Sequence, residues 1–109
     1  MPLQLAVNGA AGRMGRQVIQ AALDDEDCEL VAALEADGHT SIGDDAGLLA
    51  GAGKQGVTVS SDISADADVL IDFSVPGATM ARAAEAANAG MAVVIGTTGL
   101  SEEQIGKLR

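Results

Sequence analysis

Aromatic side chains are almost missing from this 109-residue chain: there is no Trp, no Tyr and a single Phe, Phe73. Its interior must therefore come from Val, Ile, Leu, Met and Ala, and at 48% hydrophobic residues there are enough of them for one globular core. Cysteine is equally scarce. Cys28 stands alone, so no internal disulfide can form, and no cysteine spacing suits a metal. The one histidine, His39, has no partner at ligand spacing and reads as a solvated loop residue. Basic residues are few, six against sixteen acidic ones, giving a net charge of −10. A surface of that sign repels nucleic acid and anionic membrane, so neither is expected as a partner. No apolar run reaches the length of a membrane span, and the amino terminus lacks the basic and apolar regions of a signal peptide. The expectation is a cytoplasmic protein with reduced cysteine and residues 1–109 forming one domain.

The apolar residues fall into alternating strand and helix patterns. Leu3–Asn8 is a short apolar run cut off by Asn and Gly, as a buried strand would be. From Gly12, a helical stripe runs through Met14, Val18, Ile19, Ala22 and Leu23. The acidic run Asp24–Asp27 is disfavoured at a helix carboxyl end, which places the end near Leu23. Cys28–Leu34 predicts a second strand, and Asp37–Gly56 a loop with a helical turn around Ala46–Ala50. Val57–Ser60 and Asp68–Ser74 predict the third and fourth strands. Pro76 opens a helix whose expected inner face is Met80, Ala83, Ala84 and Ala87, with Gly90 as its stop. Met91–Gly96 predicts a fifth strand, and Ser101 with Gln104 forms a capping box for a last helix reaching Arg109. This alternation implies an α/β fold, a Rossmann-like doubly wound parallel sheet whose last strand is missing.

Ligands of such a sheet sit at the carboxyl ends of its strands, where the winding reverses. The turn "GAAGRMG" falls there, after the first strand. Gly9 permits the tight exit, Gly12 lets the backbone approach a pyrophosphate, and Gly15 lets the helix press on the sheet. Strictly the motif is Ala10-x-Gly12-x-x-Gly15, a departure from the usual dinucleotide fingerprint, and a plain tight βα turn is the competing reading. Glu35 closes the second strand, twenty positions after Gly15, where a carboxylate can accept from the hydroxyls of an adenosine ribose. Alone it could equally be a solvated carboxylate; turn and carboxylate together favour a dinucleotide. Glu35 repels a 2′-phosphate and Ala36 supplies no cation, so NADH is preferred, with NADPH possible. Arg13 could lie along the phosphates or over the adenine, whereas Arg16 reads as a solvated helix residue. "GTTG", Gly96–Gly99, leaves the fifth strand where the nicotinamide would arrive. Asp72–Ser74, leaving the fourth strand, would line the same crevice; Phe73 reads as core ahead of cofactor contact, and Asp72, with nothing nearby to pair with it, is not assigned as a catalytic acid.

The segments "VNGAAGRMGRQVIQAAL", "ALEADG", "GDDAGLLAGAGKQGVTV", "VLIDFSVPGAT" and "VVIGTTGLSEEQ" together resemble the amino-terminal domain of the 4-hydroxy-tetrahydrodipicolinate (dihydrodipicolinate) reductases, in order and loops included. The resemblance implies NAD(P)H-dependent reduction of a cyclic intermediate in the diaminopimelate and lysine pathway. It places Gly9, Ala10, Ala11, Gly12, Arg13 and Met14 on the pyrophosphate side, Glu35 at the ribose, and Gly96, Thr97 and Thr98 at the nicotinamide end. The family's His-His-x-x-Lys and Pro-Ser-Gly-Thr-Ala stretches, which supply proton and substrate clamp, do not occur here, so no catalytic residue is expected within the chain. The full-length family is expected to be a homotetramer, and this chain alone inactive. The alternatives are a stand-alone dinucleotide-binding module and another Rossmann oxidoreductase.

Overall fold

Why Leu3–Asn8 ends where it does is visible in the computed structural model, which describes residues 3–63, 67–97 and 99–108. The strand, β1, runs through the middle of the molecule and buries Leu5, Ala6 and Val7 almost completely. Gly9 then takes φ 80°, a left-handed conformation that only glycine adopts cheaply, and the chain turns out of the sheet. The helix α1, Arg13–Leu23, follows and stops at Leu23, with Asp24 as its C-cap. Next come β2 (Cys28–Leu34), a single helical turn α2 (Ala46–Leu49), β3 (Val59–Ser60), β4 (Val69–Asp72), α3 (Pro76–Asn88), β5 (Ala92–Ile95) and α4 (Glu102–Leu108).

The five strands form one sheet in the order β3-β2-β1-β4-β5, and every neighbouring pair is parallel. Because side chains alternate along a strand, successive residues of β1 feed two separate cores. On one face Val7 packs with Ile19 of α1, Leu30 and Ala33 of β2, Val59 of β3, and Ala46 and Ala50 at α2. On the other, Ala6 packs with Leu34, Leu70, Ala86 of α3 and Met91. The strand order steps outward from β1 in both directions, so the crevice between the carboxyl ends of β1 and β4 is where the winding reverses.

Several strand bounds and one helix face are corrected. The third strand is shorter than Val57–Ser60. Val57 and Val59 turn their backbone toward the preceding loop, where Ala46 N–H donates to the Val57 carbonyl and Val59 N–H to the Asp44 carbonyl, both at 2.8 Å. Strand four ends at Asp72 rather than Ser74, and strand five is Ala92–Ile95 rather than Met91–Gly96. The inner face of α3 is Thr79, Arg82 and Ala86, not Met80, Ala83, Ala84 and Ala87. Alanine occupies so much of this helix that apolar spacing does not select a face, and the polar pair Thr79 and Arg82 is buried because partners await it. The four residues expected inside instead line an open groove of about 610 Å³ with Met91, Val93 and Ile95. At the start of α1, Met14 is 46% exposed although it belongs to the apolar stripe. The capping box of α4 forms as expected: Ser101 N–H donates to Gln104 Oε1 at 2.9 Å, and Gln104 N–H to Ser101 Oγ at 3.1 Å. Among the described residues no helix is long and apolar enough to cross a membrane.

The long loop between β2 and β3 is organised by one carboxylate. Asp45 caps α2 by accepting from Leu48 N–H at 3.1 Å, and it also accepts from Gln55 N–H at 3.1 Å and Gly56 N–H at 2.7 Å. The Gln55 amide, assisted by those of Leu48 and Gly56 and opposed by desolvation, holds the Asp45 carboxyl below its ordinary value. A depressed carboxylate stabilises the fold above its ordinary value, and the contribution is lost as pH falls through the folded one. Amide hydrogen exchange should therefore show Gln55 and Gly56 losing protection on the acid side of the carboxylate range, an effect absent from Asp45→Asn.

Gly15 packs α1 directly on the turn: a Cβ there would overlap the Gly9 carbonyl. Gly15→Ala should destabilise the chain by about 1–3 kcal/mol, measured by urea unfolding, because backbone rather than a flexible side chain must move.

Candidate functional site

Asn8 and Asp72 are register partners at the ends of β1 and β4, only 2% and 1% exposed. Asn8 Nδ2 donates to Asp72 Oδ1 at 2.8 Å, and Ser74 Oγ donates to the same oxygen at 2.6 Å. Thr97 Oγ1 donates to Asp72 Oδ2 at 2.8 Å, and Thr79 Oγ1 donates to it as well. Arg82 reaches in from α3, its Nε donating to Asn8 Oδ1 at 3.2 Å and its Nη2 to the Glu35 carbonyl at 3.0 Å. Its Nη1 pairs with Glu85 at 3.3 Å. Among the described residues no buried side-chain nitrogen or oxygen lacks a partner. The sequence offered Asp72 nothing to pair with; the fold surrounds it with four donors and makes it the floor of the crevice.

Above that floor lies the glycine turn. Gly9 and Ala10 N–H both donate to the Leu34 carbonyl, at 3.0 and 3.1 Å, and Gly12 N–H donates to the Gly9 carbonyl at 3.0 Å. Ala11 N–H donates to Glu35 Oε2 at 2.8 Å, so the expected ribose carboxylate is joined to the expected phosphate turn. Glu35 Oε1 has no partner among the described residues. Gly12, the N-cap of α1, supplies no side-chain cap, and the first turn of the helix carries no acid. Its leading amides are thus left for an outside acceptor.

These features border a cleft of about 390 Å³, whose walls are Gly9, Ala11 and Gly12, Glu35 and His39, and the Phe73–Val75 segment. Other expected residues sit elsewhere. Ala10 is fully buried beneath the turn. Arg13 lines a separate depression with Arg16, Gln17 and Gln20. Met14, Gly96 and Thr97 do not line the cleft. Gly96 lies under the Phe73 ring, which occupies the space a Cβ would need, so Phe73 is both packing residue and cleft wall. Thr97 Oγ1 accepts from Ser74 N–H at 2.9 Å while donating to Asp72, which commits that hydroxyl inward. Thr98 lies outside the described residues.

His39 corrects its sequence reading. It lies in a loop as expected but is half-buried in the cleft wall rather than solvated, because Gly38 at φ 81° turns the chain back toward Glu35. Arg82 and Thr79 were not singled out at all, whereas Phe73 and Ser74 of the segment expected to line the crevice do so. The available signal was that two adjacent buried strands both end on a polar residue, Asn8 and Asp72, which demands further partners. Burial, then the nearby Asp25 and Asp27, push the Cys28 thiol up, away from nucleophilic chemistry. No group of three or more His, Cys, Asp and Glu able to hold a metal occurs among the described residues.

The family model for the dihydrodipicolinate reductase N-terminus matches residues 3–109. The chain belongs to the dihydrodipicolinate reductase family. It is 53% identical over 102 residues to the 4-hydroxy-tetrahydrodipicolinate reductase of Afipia carboxidovorans, a match covering 91% of this chain and 38% of that one. The fold is that of a dipicolinate-bound dihydrodipicolinate reductase from Paenisporosarcina sp. TG-14, with a TM-score of 0.74 at 23% identity over 99% of this chain and 42% of that one. The chain thus spans about two fifths of these dihydrodipicolinate reductases, the portion holding the Rossmann-like sheet.

Removing the Asp72 carboxylate takes the acceptor from four donors at once, the buried Asn8 and Thr79 and the half-buried Ser74 and Thr97. Asp72→Ala should lower unfolding stability by about 1–3 kcal/mol or more, read by urea denaturation, while Asp24→Ala on the exposed end of α1 should leave it unchanged.

Proposed function

We propose that residues 1–109 are the nucleotide-binding domain of a cytoplasmic 4-hydroxy-tetrahydrodipicolinate reductase, an NAD(P)H-dependent oxidoreductase of diaminopimelate and lysine biosynthesis. The observation that carries this reading is the bond from Ala11 N–H to Glu35 Oε2, which makes one continuous surface of glycine turn and carboxylate. The residues present fit a dinucleotide: the turn carries no side chain at Gly9 or Gly12, the N-cap of α1 makes no side-chain cap, and Glu35 Oε1 has no partner among the described residues.

When bound, the nucleotide supplies a hydride. This chain's residues orient it. The backbone of Gly9–Gly12 and the first amides of α1, at Arg13 and Met14, hold the pyrophosphate, favoured by the helix dipole. Glu35 Oε1 accepts from a ribose hydroxyl, and its charge repels a 2′-phosphate, so NADH is preferred and NADPH tolerated. Gly96, Thr97 and Thr98 support the nicotinamide end. Thr97 does so by fixing backbone, since its hydroxyl is tied to Asp72 and Ser74. The family resemblance assigns substrate clamp, proton donor and tetramer contacts to sequence this chain does not contain, which supports reading the 109 residues as binding nucleotide without turnover. No nucleic acid, membrane or metal takes part.

Calorimetric titration with NADH and NADPH tests the reading. The chain should bind NADH saturably and more tightly than NADPH. Glu35→Ala should weaken NADH binding by about 1.5–3 kcal/mol, the worth of a hydrogen bond to a charged group, and narrow the preference. Affinity unchanged in Glu35→Ala would leave Glu35 as a brace for the turn and nothing more.

A further inference from the structure

The cleft wall beside Glu35 holds a group that the glycine motif does not include. His39 N–H donates to the Ala36 carbonyl at 3.0 Å, closing a four-residue turn with Gly38 at φ 81° in its third place. That turn brings the imidazole back to the cleft that Glu35 lines. The ring is not free to rotate into any role: its Nδ1 accepts from Ser41 N–H at 3.0 Å. In the neutral imidazole the acceptor nitrogen carries no proton, so the hydrogen resides on Nε2, the one polar atom left for a ligand. Glu35 and His39 are the charged or titratable residues lining this cleft. One offers a free acceptor, Oε1, and the other a free donor, Nε2–H.

We infer that His39 is the donor that reads the 2′ position of the adenosine ribose, and the residue through which this site accepts a 2′-phosphate. This deepens the nucleotide reading above and rests on it. A 2′-hydroxyl can donate to Glu35 and accept from His39, so in NADH the two share the contact. A 2′-phosphate offers acceptors only. It is repelled by Glu35, finds no cation at Ala36, and gains from His39 alone among the side chains of that wall. Loss of the imidazole therefore weighs more heavily on NADPH than on NADH. His39 is a specificity residue in this account, without a part in hydride transfer.

Two measurements test it. His39→Ala should weaken NADPH binding about tenfold and NADH binding about threefold or less, in keeping with the greater strength of a hydrogen bond to a charged acceptor. His39→Gln, which keeps an amide donor on a side chain of similar reach, should recover most of the NADPH loss. Equal losses for the two nucleotides, or none, overturn the assignment. The second measurement needs no variant. His39 is the chain's single histidine, so its imidazole C–H signals are identifiable in the NMR spectrum of the unmodified protein. They should shift saturably on addition of NADPH, and signals unmoved at saturation overturn the inference even if the variants fail to fold. Should the unmodified chain bind neither nucleotide, the functional reading falls and this assignment with it. Should it bind both while the His39 variants and signals stay indifferent, only the assignment falls.

Discussion

A carboxylate placed at the end of a buried parallel strand must find donors or lose its place, and Asp72 meets that requirement with four of them. They come from β1, from the chain just after β4, from α3 and from the loop that leaves β5. None of these elements can shift far without leaving a charge or a hydroxyl unpaired in the interior, where the desolvation cost is not recovered. Arg82 extends the same constraint to the end of β2 through the Glu35 carbonyl. The floor of the crevice is therefore rigid by polar satisfaction rather than by bulk, which suits a chain with one aromatic ring. The glycine turn is held instead by close backbone packing: Ala10 is fully buried, and a Cβ at Gly9 or Gly15 would overlap the Phe73 or the Gly9 carbonyl.

Glu35 serves two elements at once. Its backbone carbonyl accepts from the Arg82 guanidinium below, and its side chain accepts from the Ala11 amide above. In a chain with sixteen acidic residues most carboxylates are interchangeable and solvated. This one is distinguished by where it stands, just past the end of β2 beside the turn, and not by its chemical type. One oxygen holds the turn, and the other has no partner among the described residues.

Strand positions, the βα turn and the capping box of α4 were legible in the sequence because each rests on local chemistry: apolar runs, glycine conformations, a Ser and a Gln three residues apart. The family resemblance was legible too, since it runs through loops as well as strands. The inner face of α3 was not, because alanine on nearly every side removes the contrast that a helical stripe needs. Nor were the roles of Thr79, Arg82 and Asp72, whose partners lie far away in sequence; Arg82 and Asn8 are separated by 74 residues. His39 was misjudged for a related reason. A lone histidine in a Gly- and Asp-rich loop says nothing of its direction, which the turn at Gly38 decides.

The Phe73 ring rests on Gly96 so closely that no Cβ fits between them. The two positions are therefore not free to drift independently. A lineage that acquired a side chain at 96 while keeping Phe at 73 would displace the ring into the cleft, whereas one that first shrank residue 73 would open room for the change. Steric precedence imposes an order on the substitutions, and the glycine of "GTTG" is retained for as long as its neighbour just beyond the adjoining strand stays large.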